Sequence, residues 1–307
     1  MSIQFPALHP GRKPRRLRTQ ARSLTGIMLV APATILAIAL FFVPLILMVW
    51  MSLNNWPILG AHRFAGTTNY RAAFHDPQFR HSLLFSLEFT VIVAVGLLVI
   101  GGVLAAVVAV RRRGVAVFRT AYFLPVVIGM ASASYLWLWM LNPSVGLLDK
   151  MFLDLHIGRT PIQWLGSTGL AVTAVSVMTL WKLAGFSMLI LMSGIQSVPE
   201  DILDASMIDG AGPLRQWLRI KIPLMRTHIA LVLVFGVAGG FLAFDQFYIM
   251  THGSPGTSTL TSVFDIYNTS FVNFNLGYGA ALSVIVMVVL LIFSVIQLLI
   301  VRGSSEY

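Results

Sequence analysis

Six stretches of this 307-residue chain are apolar for about as long as a helix must be to cross a bilayer. A spanning helix needs roughly 20 mostly apolar residues, because the hydrocarbon core is about 30 Å thick. The six run over 24–51, 82–110, 118–141, 170–194, 229–251 and 279–301. Composition agrees: 57% of residues are hydrophobic and only 10% charged, where a soluble domain carries about a quarter charged. The predicted fold class is all-α, a polytopic membrane protein with about six spans. The first run follows an Arg-rich stretch, as a signal peptide would, but it is too long for one and ends near Trp50 and Trp56, which suit a membrane interface.

Orientation follows from the distribution of Lys and Arg. With six spans, one side collects Arg12, Lys13, Arg15, Arg16, Arg18, Arg22, Arg111, Arg112, Arg113, Arg119, Arg215, Arg219, Lys221, Arg226 and Arg302. The other holds only Arg63, Arg71, Arg80, Lys150 and Arg159, and Lys182 lies inside a span. Both termini are therefore expected on the cytoplasmic side of a bacterial plasma membrane. Residues 1–22 read as a basic cytoplasmic segment, rich in Pro and Arg, disordered and held against anionic lipid; residues 23–307 read as the transmembrane domain. The net charge of +10 thus points to lipid and topology, and no nucleic-acid partner is expected. The chain has no cysteine, which excludes disulfides, zinc–thiolate sites and iron–sulfur clusters. Its seven histidines are scattered without metal-ligand spacing, so neither a metal nor a catalytic residue is expected.

One loop predicted on the cytoplasmic side has structure. It reads SVPEDILDASMIDGAGPLRQWLRIKIPLMR from Ser197 to Arg226. Ser197 and Glu200 form a candidate capping box, opening a helix to about Ile208. Gly210-Ala211-Gly212-Pro213 breaks it, and a second helix follows with Leu214, Trp217 and Leu218 on one face. Pro223 ends that helix ahead of the fifth span. Such a hairpin, with exposed apolar residues and no catalytic group, reads as a docking surface.

The same residues carry a resemblance. Asp204-Ala205-Ser206, then Gly210 after three residues, then Ile220, Ile222 and Pro223 after nine more, resemble the EAA motif of ABC importer permeases, with Asp, Ser and Ile at positions where that motif has Glu, Ala and Leu. Ile208-Asp209-Gly210-Ala211 is similar to the carbohydrate-type group that includes the maltose and glycerol-phosphate permeases. Arg119 with Phe123-Leu124-Pro125, Phe244-Asp245 through Thr251, Gly253 and Pro255, and Asn275-Leu276-Gly277-Tyr278 resemble other landmarks of that group.

The resemblance implies a hairpin over 197–223 that couples to a cytoplasmic ATPase through Asp204, Ala205, Ser206, Asp209, Gly210, Ala211, Ile220, Ile222 and Pro223. It also implies a partner permease different from this chain, two ATPase subunits and an external solute-binding protein. No cofactor is expected on this chain: none of its four lysines has a G-K-[ST] context, so ATP and Mg would sit on the ATPase. The solute implied is a sugar or sugar-like compound, with a glycerol-phosphate or glycerophosphodiester substrate as the rival. A stand-alone ion-coupled carrier and a membrane enzyme are the readings from other classes. The first would transport without ATP; the second needs a cluster of His, Asp or Glu that is not seen.

Candidates for the solute pathway are the polar and aromatic residues within spans. Asp245 and Tyr248 lie late in the fifth, where Asp245 either contacts solute or holds a neighbouring helix. Lys182 beside Trp181 is a candidate to pair with Asp245 or another acid. Trp137 and Trp181 offer flat faces to a sugar, although interfacial belts and packing use Trp as well. Gly101-Gly102 and Gly239-Gly240 suggest close helix packing, and His75, Asp76 and His81 suggest a solvated loop.

Overall fold

The computed structural model describes residues 19–110, 113–156 and 160–302, with side chains of 19–27, 301 and 302 left aside. Most of the expected basic segment therefore lies outside the described residues, as do Arg111, Arg112 and Arg159; residues 19–22 open a helix, Thr19–Ala37. The described residues divide into two units, 1–50 and 51–307. The first is a helix whose apolar side chains from Met28 onward are almost all exposed. It widens into a π-turn at Ile38–Phe42, which ends two residues before Pro44. A proline ring has no N–H and clashes with the carbonyl four residues back, and a wider turn relieves both.

In the second unit, Pro77–Val108, Thr168–Gln196 and Leu276–Ile300 are long and apolar enough to span. The first starts earlier than the sequence suggests. Asp76 is half-buried and caps it, its Oδ1 accepting from the Gln78 and Phe79 amides at 2.9 and 3.3 Å. The expected third span is two helices, Val115–Val127 and Met130–Met140, bent by 98°. Ile128 and Gly129 are extended between them. The fifth is Arg226–Phe241, a break at Leu242–Phe244, then Asp245–Met250. Among the described residues four helices are long and apolar enough to span, and up to six if two bent pairs each count as one span: Val115–Val127 with Met130–Met140, and Pro213–Leu224 with Arg226–Phe241.

Pro77–Val108 is the central post, packed against both Thr168–Gln196 and Arg226–Phe241. Lipid tails are as apolar as the side chains, so this packing rests on close contact rather than on escape from water. Gly101 and Gly240 permit it: a Cβ would meet Ser187 Cβ at 2.7 Å in one case and Thr90 Cα at 2.7 Å in the other. Gly102 and Gly239 face only side-chain tips near 4 Å. Phe85 and Phe89 set their rings edge-on to buried Phe247, at 5.2 and 4.8 Å, filling the core beneath the break.

Segment 251–275 is stitched back onto these helices by polar bonds. Ser86 Oγ accepts from the Ser262 amide at 2.8 Å, and Asp265 accepts from Gln78 Nε2 at 2.7 Å and Ser82 Oγ at 3.3 Å. Tyr278 donates to Asp76 at 2.8 Å.

Candidate functional site

Two regions carry the candidate residues. The first is the hairpin between the fourth and fifth spans. Its opening differs from expectation: Ser197 terminates Thr168–Gln196, its hydroxyl donating to Gly194 O at 2.8 Å. The hairpin helix is Glu200–Ile208, with Pro199 at its N-cap and no side-chain cap. No capping box forms, because Ser197 is already committed to the preceding helix.

Asp204 and Ala205 are exposed on this arm, while Ser206 is buried. The arm ends in a Schellman turn: the Gly210 amide donates to Met207 O at 3.0 Å and the Ala211 amide to Ser206 O at 2.9 Å. Gly210 takes φ +76° with open space around it, so a side chain there meets backbone strain, not a clash. Asp209 is the exposed C-cap.

The second arm is a single bent element. Pro213–Gln216 runs into a π-turn, Trp217–Lys221, and then Ile222–Leu224. Pro223 does not end the helix as expected, because the preceding π-turn accommodates its ring; the 72° bend comes at Met225. Gln216 ties the arms together, donating from Nε2 to Ser206 Oγ at 2.9 Å and to Leu203 O at 3.2 Å. Trp217 is half-buried, faces a 260 Å³ apolar cavity with Leu98, Leu191 and Ile229, and has Lys221 Nζ 5.0 Å above its ring. Ile220 is half-buried, whereas Ile222 and Pro223 are exposed. The hairpin tip presents Ile208, 88% exposed, with Met207, Leu214 and Leu218 also in the open.

The second region is the set of pathway candidates, which the structure separates. Trp137 and Trp181 pack on each other, ring centroids 5.8 Å apart. Trp181 lines a 520 Å³ cavity with Leu104, Tyr122 and Pro125, and Trp137 a 360 Å³ one with Phe152 and Trp164. Both linings are almost wholly apolar. Lys182 is buried, and its ammonium donates to Val126 O at 3.4 Å. The expected partner acid is replaced by a carbonyl at the end of a broken helix, where the dipole favours a cation.

Asp245 opens the short helix after the fifth-span break and is half-buried. Tyr248, one turn on, stacks on Phe244 with centroids 5.2 Å apart and planes at 22°. Sequence reasoning missed their neighbours Tyr267 and Phe271, an i, i+4 aromatic pair in a polar segment, together with Gln216 and Asp265.

The family of binding-protein-dependent transport system inner membrane components matches residues 98–305. The chain belongs to that family. This permease is 30% identical over 269 residues to YurN of Bacillus subtilis (strain 168), a probable ABC transporter permease protein, covering 86% of this chain and 92% of that one. It is also 30% identical over 284 residues to UgpA of Escherichia coli O157:H7, named an sn-glycerol-3-phosphate transport system permease protein, covering 91% and 95%. A permease chain of a bacterial alginate ABC transporter, solved with an alginate pentasaccharide-bound periplasmic protein, has the same fold. Its TM-score is 0.82 at 19% identity, with 95% and 99% coverage. The permease is thus a membrane transport subunit of an ABC importer.

Proposed function

We propose that the permease forms half of the membrane pathway of an ATP-driven importer for a sugar or sugar-like solute. A second, different permease supplies the other half, an external binding protein delivers the solute, and two cytoplasmic ATPase subunits drive the cycle. ATP and Mg belong to those subunits. Both termini and the 197–223 hairpin lie on the cytoplasmic side of a bacterial inner membrane, in keeping with its basic loops.

The observation that carries the coupling role is the hairpin tip. Exposed Ile208, Met207, Leu214 and Leu218 stand on a turn fixed by Gly210 and cross-linked through Gln216. ATP can bias transport only through a contact that differs between the two states, and a stiff hairpin with an uncovered apolar tip is suited to transmit one. Asp204, Ala205, Asp209, Ala211, Ile222 and Pro223 flank that contact in this reading.

UgpA's name favours a second substrate reading, a glycerol-phosphate compound. ATP-driven uptake into vesicles holding the whole complex decides between them, with neutral mono- and disaccharides tested against sn-glycerol 3-phosphate. Uptake of a neutral sugar supports the first reading and uptake of the phosphate alone the second. Transport by this chain without ATP or an ATPase would instead establish a stand-alone carrier.

A further inference from the structure

We infer that the groove between the second, third and fourth spans binds one anionic phospholipid. Its acyl chain lies against Leu104, Tyr122 and Trp181, and its phosphate sits on Arg119 and Arg113. This is a lipid site in the side of the bundle, separate from solute and from the ATPase contact.

The groove follows from where small residues fall. Gly185 lets Val115–Val127 lie directly on Thr168–Gln196, since a Cβ there would meet Phe123 Cα at 2.8 Å. The same helix packs far less on Pro77–Val108. The positions facing that gap are Ala121 and Pro125 on one helix and Ala184 on another, too short to fill it. A cavity of 520 Å³ remains, closed below by Ile100, Leu104 and Leu180. It is open to the side, with Trp181 37% and Tyr122 42% exposed. At membrane depth an apolar groove takes hydrocarbon, supplied either by an acyl chain or by another helix.

Charge decides between the two. Leu104 and Val108 lie one turn apart on one helix face, and the Arg119 guanidinium is held at Val108 O, so it marks one end of the groove. Its Nε and Nη2 donate to that carbonyl at 3.2 and 2.7 Å. Five N–H donors belong to a guanidinium, so others are left over. The carbonyl contributes at most the partial charge of a helix C-terminus, about half a unit. Arg113 stands exposed in the turn that enters the same helix. Among the described residues no acid pairs with Arg119 or Arg113, and the Tyr122 hydroxyl has no partner. An apolar helix laid in the groove would leave all three unanswered. A phosphodiester accepts from a guanidinium through two oxygens at once, and its glycerol esters can accept from the phenol. Basic pockets between spans suit anionic headgroups in just this way.

Trp181 reports on the groove, because bromine on an acyl chain quenches indole fluorescence only on contact. The assembled transporter is placed in phosphatidylcholine vesicles with increasing fractions of brominated phosphatidylglycerol or brominated phosphatidylcholine. The Trp181 signal is the difference between wild type and Trp181→Phe. Both leaflets carry the same lipid, so the result does not depend on which face is cytoplasmic. Half-maximal quenching should need at least about fivefold less phosphatidylglycerol than phosphatidylcholine, the ratio that one basic residue near the surface gives. Arg113→Gln and Arg119→Gln should each raise the phosphatidylglycerol fraction required and leave that for phosphatidylcholine unchanged, while Arg119→Lys keeps the preference. Should Arg119→Gln fail to assemble, Arg113→Gln decides alone. Equal fractions for the two lipids would mean unselective boundary lipid and overturn the site. Trp181 quenched by neither would mean that a protein helix fills the groove, which also overturns it. A preference untouched by loss of the arginines would overturn the headgroup assignment.

Discussion

Gln216 Nε2 lies 2.9 Å from Ser206 Oγ and 3.2 Å from Leu203 O, joining the two arms of the hairpin through one amide. Ser206 stands where the EAA pattern has Ala, and its hydroxyl both accepts from Gln216 and donates to Leu203 O at 2.7 Å. Each bond contributes on the order of 1 kcal/mol. Because Leu203 O keeps one donor in either single variant, Ser206→Ala and Gln216→Leu should each cost less than about 1 kcal/mol. The double variant should depart from additivity. A thermal-unfolding double-mutant cycle on the purified complex measures this; strict additivity would mean the bond carries no coupling.

Gly210 acts through its backbone. At φ +76° an L-residue costs about 1–2 kcal/mol, and nothing surrounds the site to be struck. Gly210→Ala should therefore loosen the Schellman turn moderately, whereas Gly210→Val should do so more severely, since β-branched residues tolerate this region least. Proteolysis rates at the hairpin, measured in intact membranes, should rank Val above Ala above wild type.

Gly239 and Gly240 are neighbours with opposite surroundings. Gly240→Ala drives a methyl to 2.7 Å from the Thr90 backbone and should cost about 1–3 kcal/mol through displaced spans. Gly239→Ala meets only a Leu183 methyl at 3.9 Å and should be nearly neutral. Equal losses of thermal stability in the two variants would contradict the packing described.

Asp265 is held above the ordinary carboxylate value of 3.8, first by burial and then by the nearby charge of Asp76, with the Gln78 and Ser82 bonds pulling the other way. The folded protein thus binds this proton more tightly than the unfolded chain. Its contribution is fully present below pH 3.8 and is lost as pH rises through the raised value. Asp265→Asn, which keeps an acceptor for Gln78, should gain on wild type in thermal stability as pH rises from 4 to 7. A stability difference that does not change with pH would rule this out.

Much of this fold was legible because long apolar runs have one use. The spans and the hairpin come directly from them and from Gly210-Ala211-Gly212-Pro213. The breaks did not, since their causes lie far away in sequence. Helix Arg226–Phe241 stops where Thr261, eighteen residues from Ala243, supplies the donor. Ser197 looked like the start of one helix and serves as the end of another. Asp76 looked like a loop carboxylate and Asp265 was passed over, because their partners, Tyr278, Gln78 and Ser82, are brought together only by the folded bundle. Of the candidate pathway residues, spacing alone could not part Trp137 and Trp181, which pack on each other, from Tyr248, which stacks on Phe244.

The most direct test of the account is the amount of ATPase subunit that co-purifies with tagged permease from native membranes, for wild type against Ile208→Asp. Ile208 is exposed and away from the core, so the substitution leaves the fold intact. The account predicts an ATPase and a second permease with wild type, and the ATPase alone lost from Ile208→Asp. Retention of the ATPase at wild-type levels by Ile208→Asp would contradict docking through the hairpin tip.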